Sequence, residues 1–102
     1  MSIYESPGSI EERVVNEVVA RHQHPDDVER IAVEFGLDHS DAPAVWLIFT
    51  LRAGIEETQD TYRSIYGFAD NVRLELRDAG VERFAHVRVK RPVLNAQSRA
   101  SL

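Results

Sequence analysis

The stretch Ala44-Val45-Trp46-Leu47-Ile48-Phe49-Thr50-Leu51 decides the fold of this chain, because it is the most apolar run and contains the only tryptophan. Its aromatic and β-branched side chains are typical of a sheet strand that is contacted on both faces. Successive side chains of a strand point to opposite faces. The face that we expect to lie in the core carries Val45, Leu47, Phe49 and Leu51. The other face carries Trp46, Ile48, Thr50 and Arg52.

Two other segments alternate apolar and polar residues with a period of two, which also indicates strands. In residues 28–37 the apolar positions are Ile31, Val33, Phe35 and Leu37. In residues 84–90 they are Ala85, Val87 and Val89, which leaves Phe84, His86, Arg88 and Lys90 on the opposite side. Residues 38–43 are rich in turn-forming residues, so we predict an antiparallel hairpin between the first two strands. Gly36 is a candidate position for a bulge.

The N-terminal part of the chain predicts one amphipathic helix. Ser9-Ile10-Glu11-Glu12 has the pattern of a capping box, which places the start of the helix at Ser9. Apolar residues then recur on one stripe at helical spacing: Ile10, Val14, Val15, Val18 and Val19. Pro25 disfavours the helical conformation of the residue before it, so the helix is predicted to end near His22.

A longer helix is predicted between the second and third strands, beginning at Ile55 or shortly after. An apolar stripe at helical spacing runs from Ile55 to Ala79, with Glu56 and Glu57 in the first turn, where acids favour the helix dipole. Gly80 is placed as a left-handed terminator. Gly67 either lies within one long helix or divides the segment into two helices.

Together these elements predict a small α+β domain of order α-β-β-α-β, or α-β-β-α-α-β if the long helix breaks at Gly67. The sheet is expected to be three-stranded and mixed, with both helices on one face, because the long helix acts as a crossover that returns the last strand parallel. Residues 9–92 are assigned to this single domain. We expect residues 1–8 to be a flexible segment and residues 93–102 a disordered tail.

The order with a divided helix resembles that of the type II KH and BolA-like folds. KH domains carry a Gly-x-x-Gly loop between two helices, whereas the corresponding segment here is Gly67-Phe68-Ala69-Asp70, without the second glycine. The iron-binding pattern of BolA proteins is also not matched. The resemblance therefore implies a topology and transfers no functional residue. A ferredoxin-like fold without its first strand is the alternative.

Composition restricts the class of protein. The chain has 102 residues, a net charge of −5 and no cysteine, which excludes disulfides and Cys-ligated metal centres. Neither a signal peptide nor an apolar stretch of membrane-spanning length is recognisable, so we expect a cytoplasmic location and no membrane. Residues 83–91 nevertheless contain four cations and no acid, which permits a local basic surface.

No motif for catalysis or a cofactor is recognisable, so no catalytic residue and no cofactor is predicted. His22 and His24 precede Asp26 and Asp27, a spacing that can bind a divalent metal. Placement at a helix C-terminus is the preferred explanation of these histidines, because positive charge is favoured there. We retain His22, His24 and Asp26, with Asp27, as weak metal candidates.

The strands predict a shared surface on the face opposite the core. It consists of an apolar and aromatic centre flanked by basic residues: Trp46, Ile48, Thr50, Phe84, His86, Arg88 and Lys90. Monomeric proteins rarely leave such a patch bare. The leading hypothesis is therefore a non-enzymatic interaction module, acting as a homodimer or binding a protein partner through this face or a sheet edge. The alternative is a KH-like module that binds RNA or single-stranded DNA through the basic last strand.

Part of the chain also resembles short bacterial proteins with a hairpin of the pattern Gly-x-Asp followed by Pro-Ala-Val-Trp. The matching residues here are Gly36, Asp38 and Pro43 to Trp46, with Val87 to Lys90 as the basic last strand. Small acidic proteins of this kind are similar in size and charge to antitoxin or immunity partners. That likeness implies a protein partner and no particular chemistry.

Overall fold

The computed structural model describes residues 7–92, and for residues 7–9 it describes the backbone alone. The elements follow the order α1 (Pro7–Arg21), β1 (Val28–Leu37), β2 (Pro43–Leu51), α2 (Gln59–Asp78) and β3 (Phe84–Lys90). The predicted α-β-β-α-β order and the α+β class are therefore confirmed. The predicted terminal segments 1–8 and 93–102 lie outside the described residues, except that residues 7 and 8 belong to α1.

The sheet is three-stranded and mixed, with β2 in the centre. β1 runs antiparallel to β2, and β3 runs parallel to it, as the hairpin and the crossover predict. The predicted bulge is in another place: the register shifts between Val28 and Arg30, and Gly36 pairs regularly with Ala44. The extra residue at this shift allows Val28, which is fully buried, and Ile31 to contribute to the same hydrophobic core although they are three positions apart.

The core is a single hydrophobic cluster built on one face of β2. Val45, Leu47, Phe49 and Leu51 are each at most 1% exposed, as their alternation predicts. The same cluster contains valines of α1 and the apolar stripe of α2: Val15, Val18, Val19, Ile65, Phe68, Ala69, Val72 and Leu76. That both helices cover one face of the sheet stays a prediction, with which this shared cluster agrees.

Arg83, directly before β3, joins three other elements. Its Nε lies 3.0 Å from the Glu11 carboxylate of α1, and its Nη1 donates to the carbonyls of Gly36 in β1 and Ala44 in β2 at 3.0 Å each. Hydrogen bonds from a charged donor are stronger than those between neutral groups. This single side chain therefore fixes the entry of β3 into the sheet.

The boundaries of both helices differ from those predicted at their N-termini. α2 begins at Gln59, one turn after the earliest predicted start at Ile55, because Thr58 is its N-cap and accepts a hydrogen bond from the Thr61 amide. Glu56 and Glu57 therefore precede the helix. α1 begins at Pro7, a residue type favoured at the first helical position, so Ser9 lies inside the first turn and is not the N-cap.

The C-terminus of α2 agrees with its prediction. Gly80 has a φ of +85°, and the amides of Gly80 and Val81 donate to the carbonyls of Arg77 and Leu76. This is a Schellman motif, which requires the left-handed conformation that glycine adopts without strain. α2 is continuous through Gly67, so the order with a divided helix is excluded.

Candidate functional site

The sheet register places all seven predicted surface residues on one face, here named the Trp46 face. Each row across the sheet contains one residue from β1, β2 and β3 in turn. The four rows are Gly36–Ala44–Phe84, Glu34–Trp46–His86, Ala32–Ile48–Arg88 and Arg30–Thr50–Lys90. Because side chains of paired strands point to the same side in register, these rows form one continuous surface.

Aromatic rings and guanidinium groups form a stack along the β3 side of this face. The His86 ring is stacked on Trp46, with centroids 4.7 Å apart and an interplanar angle of 26°. Phe84 meets the same imidazole edge-on at 5.0 Å. Arg88 lies 4.6 Å from the Trp46 centroid, and Arg73 of α2 lies 4.6 Å from that of Phe84. The π surface of Trp46 is therefore already contacted by two side chains of the protein itself.

Ile48 does not contribute the open apolar centre that the sequence predicts. Its side chain is only 5% exposed, whereas Phe84 is 54% exposed. The register neighbours of Ile48 are Ala32 and Arg88. The accessible part of the face is consequently aromatic and cationic rather than aliphatic.

His86 also approaches a carboxylate that the sequence reading assigned only to turn chemistry. Its Nε2 atom is buried, has no hydrogen-bond partner among the described residues and lies 3.6 Å from Asp38 Oδ2. The other oxygen, Oδ1, accepts from the Ser40 hydroxyl at 2.7 Å, the Ser40 amide at 2.8 Å and the Ala42 amide at 3.1 Å. Asp38 is thus held by the hairpin loop so that one oxygen faces the imidazole.

The hydrogen bonds within the loop keep Asp38 ionised. The Ser40 hydroxyl first, and then the Ala42 and Ser40 amides, lower the pKa of the Asp38 carboxyl from 3.8 to about 2. A fixed negative charge beside His86 favours the orientation in which Nε2 faces Asp38. Sequence reasoning missed this contact, because the predicted parallel direction of β3 does not give its register with β2. The observed register sets Gly36 and Phe84 in the same row, close to the loop.

Positive charge remains uncompensated at the opposite end of the Trp46 face. Across residues 10–92, neither Arg30 nor Lys90 forms an ion pair, and the only acid in the four rows, Glu34, has no partner either. Arg91, by contrast, is bound to Glu57 through two hydrogen bonds of 2.7 Å. The face therefore presents cations in a protein whose net charge is −5.

The weak metal candidates are not brought together. His22 Nε2 lies 2.7 Å from Glu75 Oε1 on α2, and the carboxylate of Asp27 accepts from the Thr61 hydroxyl at 2.7 Å. Asp26 uses its carbonyl to accept from Arg52, and His24 is exposed. In the part of the chain that the structure describes, no three such residues are placed to hold a metal ion. Two of these residues, His22 and Asp27, instead connect the segment around Pro25 to α2.

The chain matches no model of a known protein family, no curated protein and no solved structure with which it was compared. Neither of the two helices within residues 7–92 has the length and apolar character needed to cross a membrane. The function of the protein is therefore inferred from the Trp46 face.

Proposed function

We propose that this protein is a non-enzymatic interaction module that binds a protein partner through its Trp46 face. The observation that carries the proposal is the stack of Phe84, His86, Trp46 and Arg88 on one face of the sheet. Tryptophan and arginine are the residue types that most often dominate binding energy in protein interfaces. Because these rings already hold one another in place, little side-chain entropy is lost when a partner binds.

The charges of the face favour a partner that presents carboxylates. Arg88 and Lys90 are exposed, and Lys90 has no ion-pair partner among the described side chains. Cations around an aromatic centre increase the rate of encounter with an acidic surface and disfavour a basic one. A role as a bacterial antitoxin or immunity protein in the cytoplasm belongs to the same proposal, supported by the small size of the chain.

The Nε2 atom of His86 is not positioned for acid–base chemistry on a ligand. A general base must come within hydrogen-bond distance of the proton that it removes. The Nε2 atom of His86 is buried and faces Asp38, so it is not presented to a molecule in solution. This nitrogen is therefore not available to take a proton from a bound molecule.

Affinity capture from cells that naturally express the protein, followed by quantitative mass spectrometry, tests this proposal. We expect a captured protein to be lost with Arg88→Glu and with Trp46→Ala, but to be retained with Leu74→Ala, a change at an exposed position of α2. Circular dichroism would verify that each variant is folded. Capture that is equal for the wild type and Arg88→Glu would contradict a role of the Trp46 face.

Binding of single-stranded nucleic acid is the second candidate, favoured by the exposed Phe84 ring and the cations of β3. It ranks lower because Trp46 is already contacted by His86 and Arg88, which leaves less of its ring for a base. This function predicts salt-dependent binding of fluorescent oligonucleotides, weakened by Arg88→Ala and Lys90→Ala but not by Arg63→Ala on α2. Absence of binding at low salt excludes it.

A further inference from the structure

The two edge strands of the sheet, β1 and β3, differ in how accessible their outward backbone groups are to another strand. Along β3, Arg73 of α2 donates from Nε to the carbonyl of Ala85 at 2.8 Å, and its guanidinium lies over Phe84. The outward edge of β3 is therefore partly occupied by the protein itself. β1 ends the sheet on the other side, and no strand within residues 7–92 lies beyond it.

The backbone groups of β1 that point outward can be identified from the hairpin. The Asp38 amide donates to the Ala42 carbonyl, so Asp38 directs its backbone groups toward β2. The direction of the backbone N–H and C=O groups alternates from one residue of a strand to the next. The backbone groups of Ile31, Val33 and Phe35 therefore point to the open edge. Their side chains are half-buried at the margin of the core. An edge of this kind is a ready template for another strand.

β1 also carries self-complementary charges. Arg30 and Glu34 lie on the Trp46 face with Ala32 midway between them, and neither has an ion-pair partner among residues 10–92. If two copies of β1 pair antiparallel around a two-fold axis at Ala32, Arg30 of each copy lies opposite Glu34 of the other. Opposite charges that face each other across strands stabilise the pair.

Other two-fold registers lack this arrangement. Pairing centred on Glu34 places like charges opposite each other, and pairing centred on Arg30 does the same, which is unfavourable. Pairing centred on Val33 sets Arg30 opposite Gly36, with no charge contact. The register centred on Ala32 also brings Ile31 opposite Val33 on the core side of the sheet, so apolar residues meet there.

We propose that the partner of β1 is a second copy of this chain, joined in the register centred on Ala32. The two sheets then form one six-stranded sheet, which extends the Trp46 face across the dimer. The inference adds self-association at a sheet edge to the proposed interaction function and leaves the Trp46 face free for another partner. Arg30 is neutralised in the dimer, and Arg88 and Lys90 remain as the cations of each copy.

Charge reversal combined with analytical ultracentrifugation tests the register. We expect the wild type to be a dimer, and both Arg30→Glu and Glu34→Arg to weaken dimerisation at least about tenfold, because each creates two like-charge contacts. A mixture of these two variants should dimerise again, since every contact in the heterodimer then joins opposite charges. Lys90→Glu, in the same row as Arg30 but on the opposite edge, should leave the dimer unchanged.

Three results overturn the inference: a monomeric wild type, dimers that persist in both single variants, or a mixture that fails to associate although circular dichroism shows each variant to be folded. None of these results would contradict the proposed binding of a partner through the Trp46 face. Loss of a captured protein on Arg88→Glu would still support binding through the Trp46 face if the wild type proves monomeric.

Discussion

His86 stacks on Trp46 because β3 pairs with β2 in parallel and places the two residues in the same row. Phe84, the first residue of β3, contacts the His86 ring edge-on. The stack is thus a product of register, and its strength can be measured as a coupling free energy between two substitutions.

A double-mutant cycle with Trp46→Leu and His86→Leu should give a favourable coupling of about 0.5–1.5 kcal/mol, the range for stacked aromatic pairs. Urea unfolding followed by circular dichroism provides the four free energies. The control cycle combines Trp46→Leu with Leu74→Ala on α2, for which we expect additive effects. Equal coupling in both cycles would show that the stack contributes no specific stabilisation.

The lowered pKa of the Asp38 carboxyl predicts that the protein loses stability in acid. Because its folded-state pKa of about 2 is below the ordinary 3.8, its contribution is complete above the ordinary value and disappears as the pH falls from there through about 2. The difference in unfolding free energy between the wild type and Asp38→Asn should therefore shrink across this interval.

The hydrogen bond from Ser40 provides the control for that experiment. Ser40→Ala removes the largest cause of the shift, so the pKa of Asp38 should move back toward 3.8 and the acid loss should begin at higher pH. Carboxyl carbon NMR would follow this titration directly. An Asp38 pKa that is unchanged in Ser40→Ala would refute the assignment.

Leu47 and Leu74 differ in exposure, so replacing each with alanine tests where the core lies. Leu47 is fully buried in the central strand, so Leu47→Ala should lower the free energy of unfolding by about 2–5 kcal/mol. Leu74 is 55% exposed on α2, and Leu74→Ala should change stability by less than about 0.5 kcal/mol. Chemical denaturation of both variants measures the contrast, and similar losses would contradict the placement of the core.

Replacement of two glycines, Gly67 and Gly80, by alanine should change the stability of the protein in opposite directions. Gly67 lies inside α2 with no atom within 4 Å of the position of an added Cβ, so Gly67→Ala should stabilise the protein by about 0.5–1 kcal/mol. Gly80 has a φ of +85°, so Gly80→Ala should destabilise it by about 1 kcal/mol or more. Thermal unfolding of the two variants should shift the midpoint in opposite directions.

The strands were predictable because half-buried strands repeat every two residues, which is a local property of the sequence. The alternation of residues 28–37 and 84–90 predicts the bounds of β1 and β3, and the apolar run at 44–51 lacks only Pro43 of β2. The start of α2 was not predictable from the apolar stripe alone. Ile55 fits that stripe, yet the capping interaction of Thr58 with Thr61 decides the boundary.

The sequence was sufficient to predict that the candidate surface residues share one face of the sheet. It was not sufficient to predict their side-chain contacts. A period of two on β2 and β3 is sufficient to place Trp46, His86 and Arg88 on one face. The burial of Ile48 depends on side-chain conformations, and the approach of Asp38 to His86 depends on a pairing between distant segments. Neither leaves a local pattern in the sequence.

The parallel pairing of β3 has a consequence for the order of folding. β1 and β2 are joined by a short loop, whereas β3 reaches β2 only after the chain has closed the much longer loop that contains α2. We expect the hairpin to form early and β3 to dock late, with the bonds of Arg83 made at that step. His86, Arg88 and Lys90 all belong to β3. We therefore expect the proposed binding surface to be incomplete in a chain that lacks a docked β3, so that a partner recognising it would select molecules whose folding is complete.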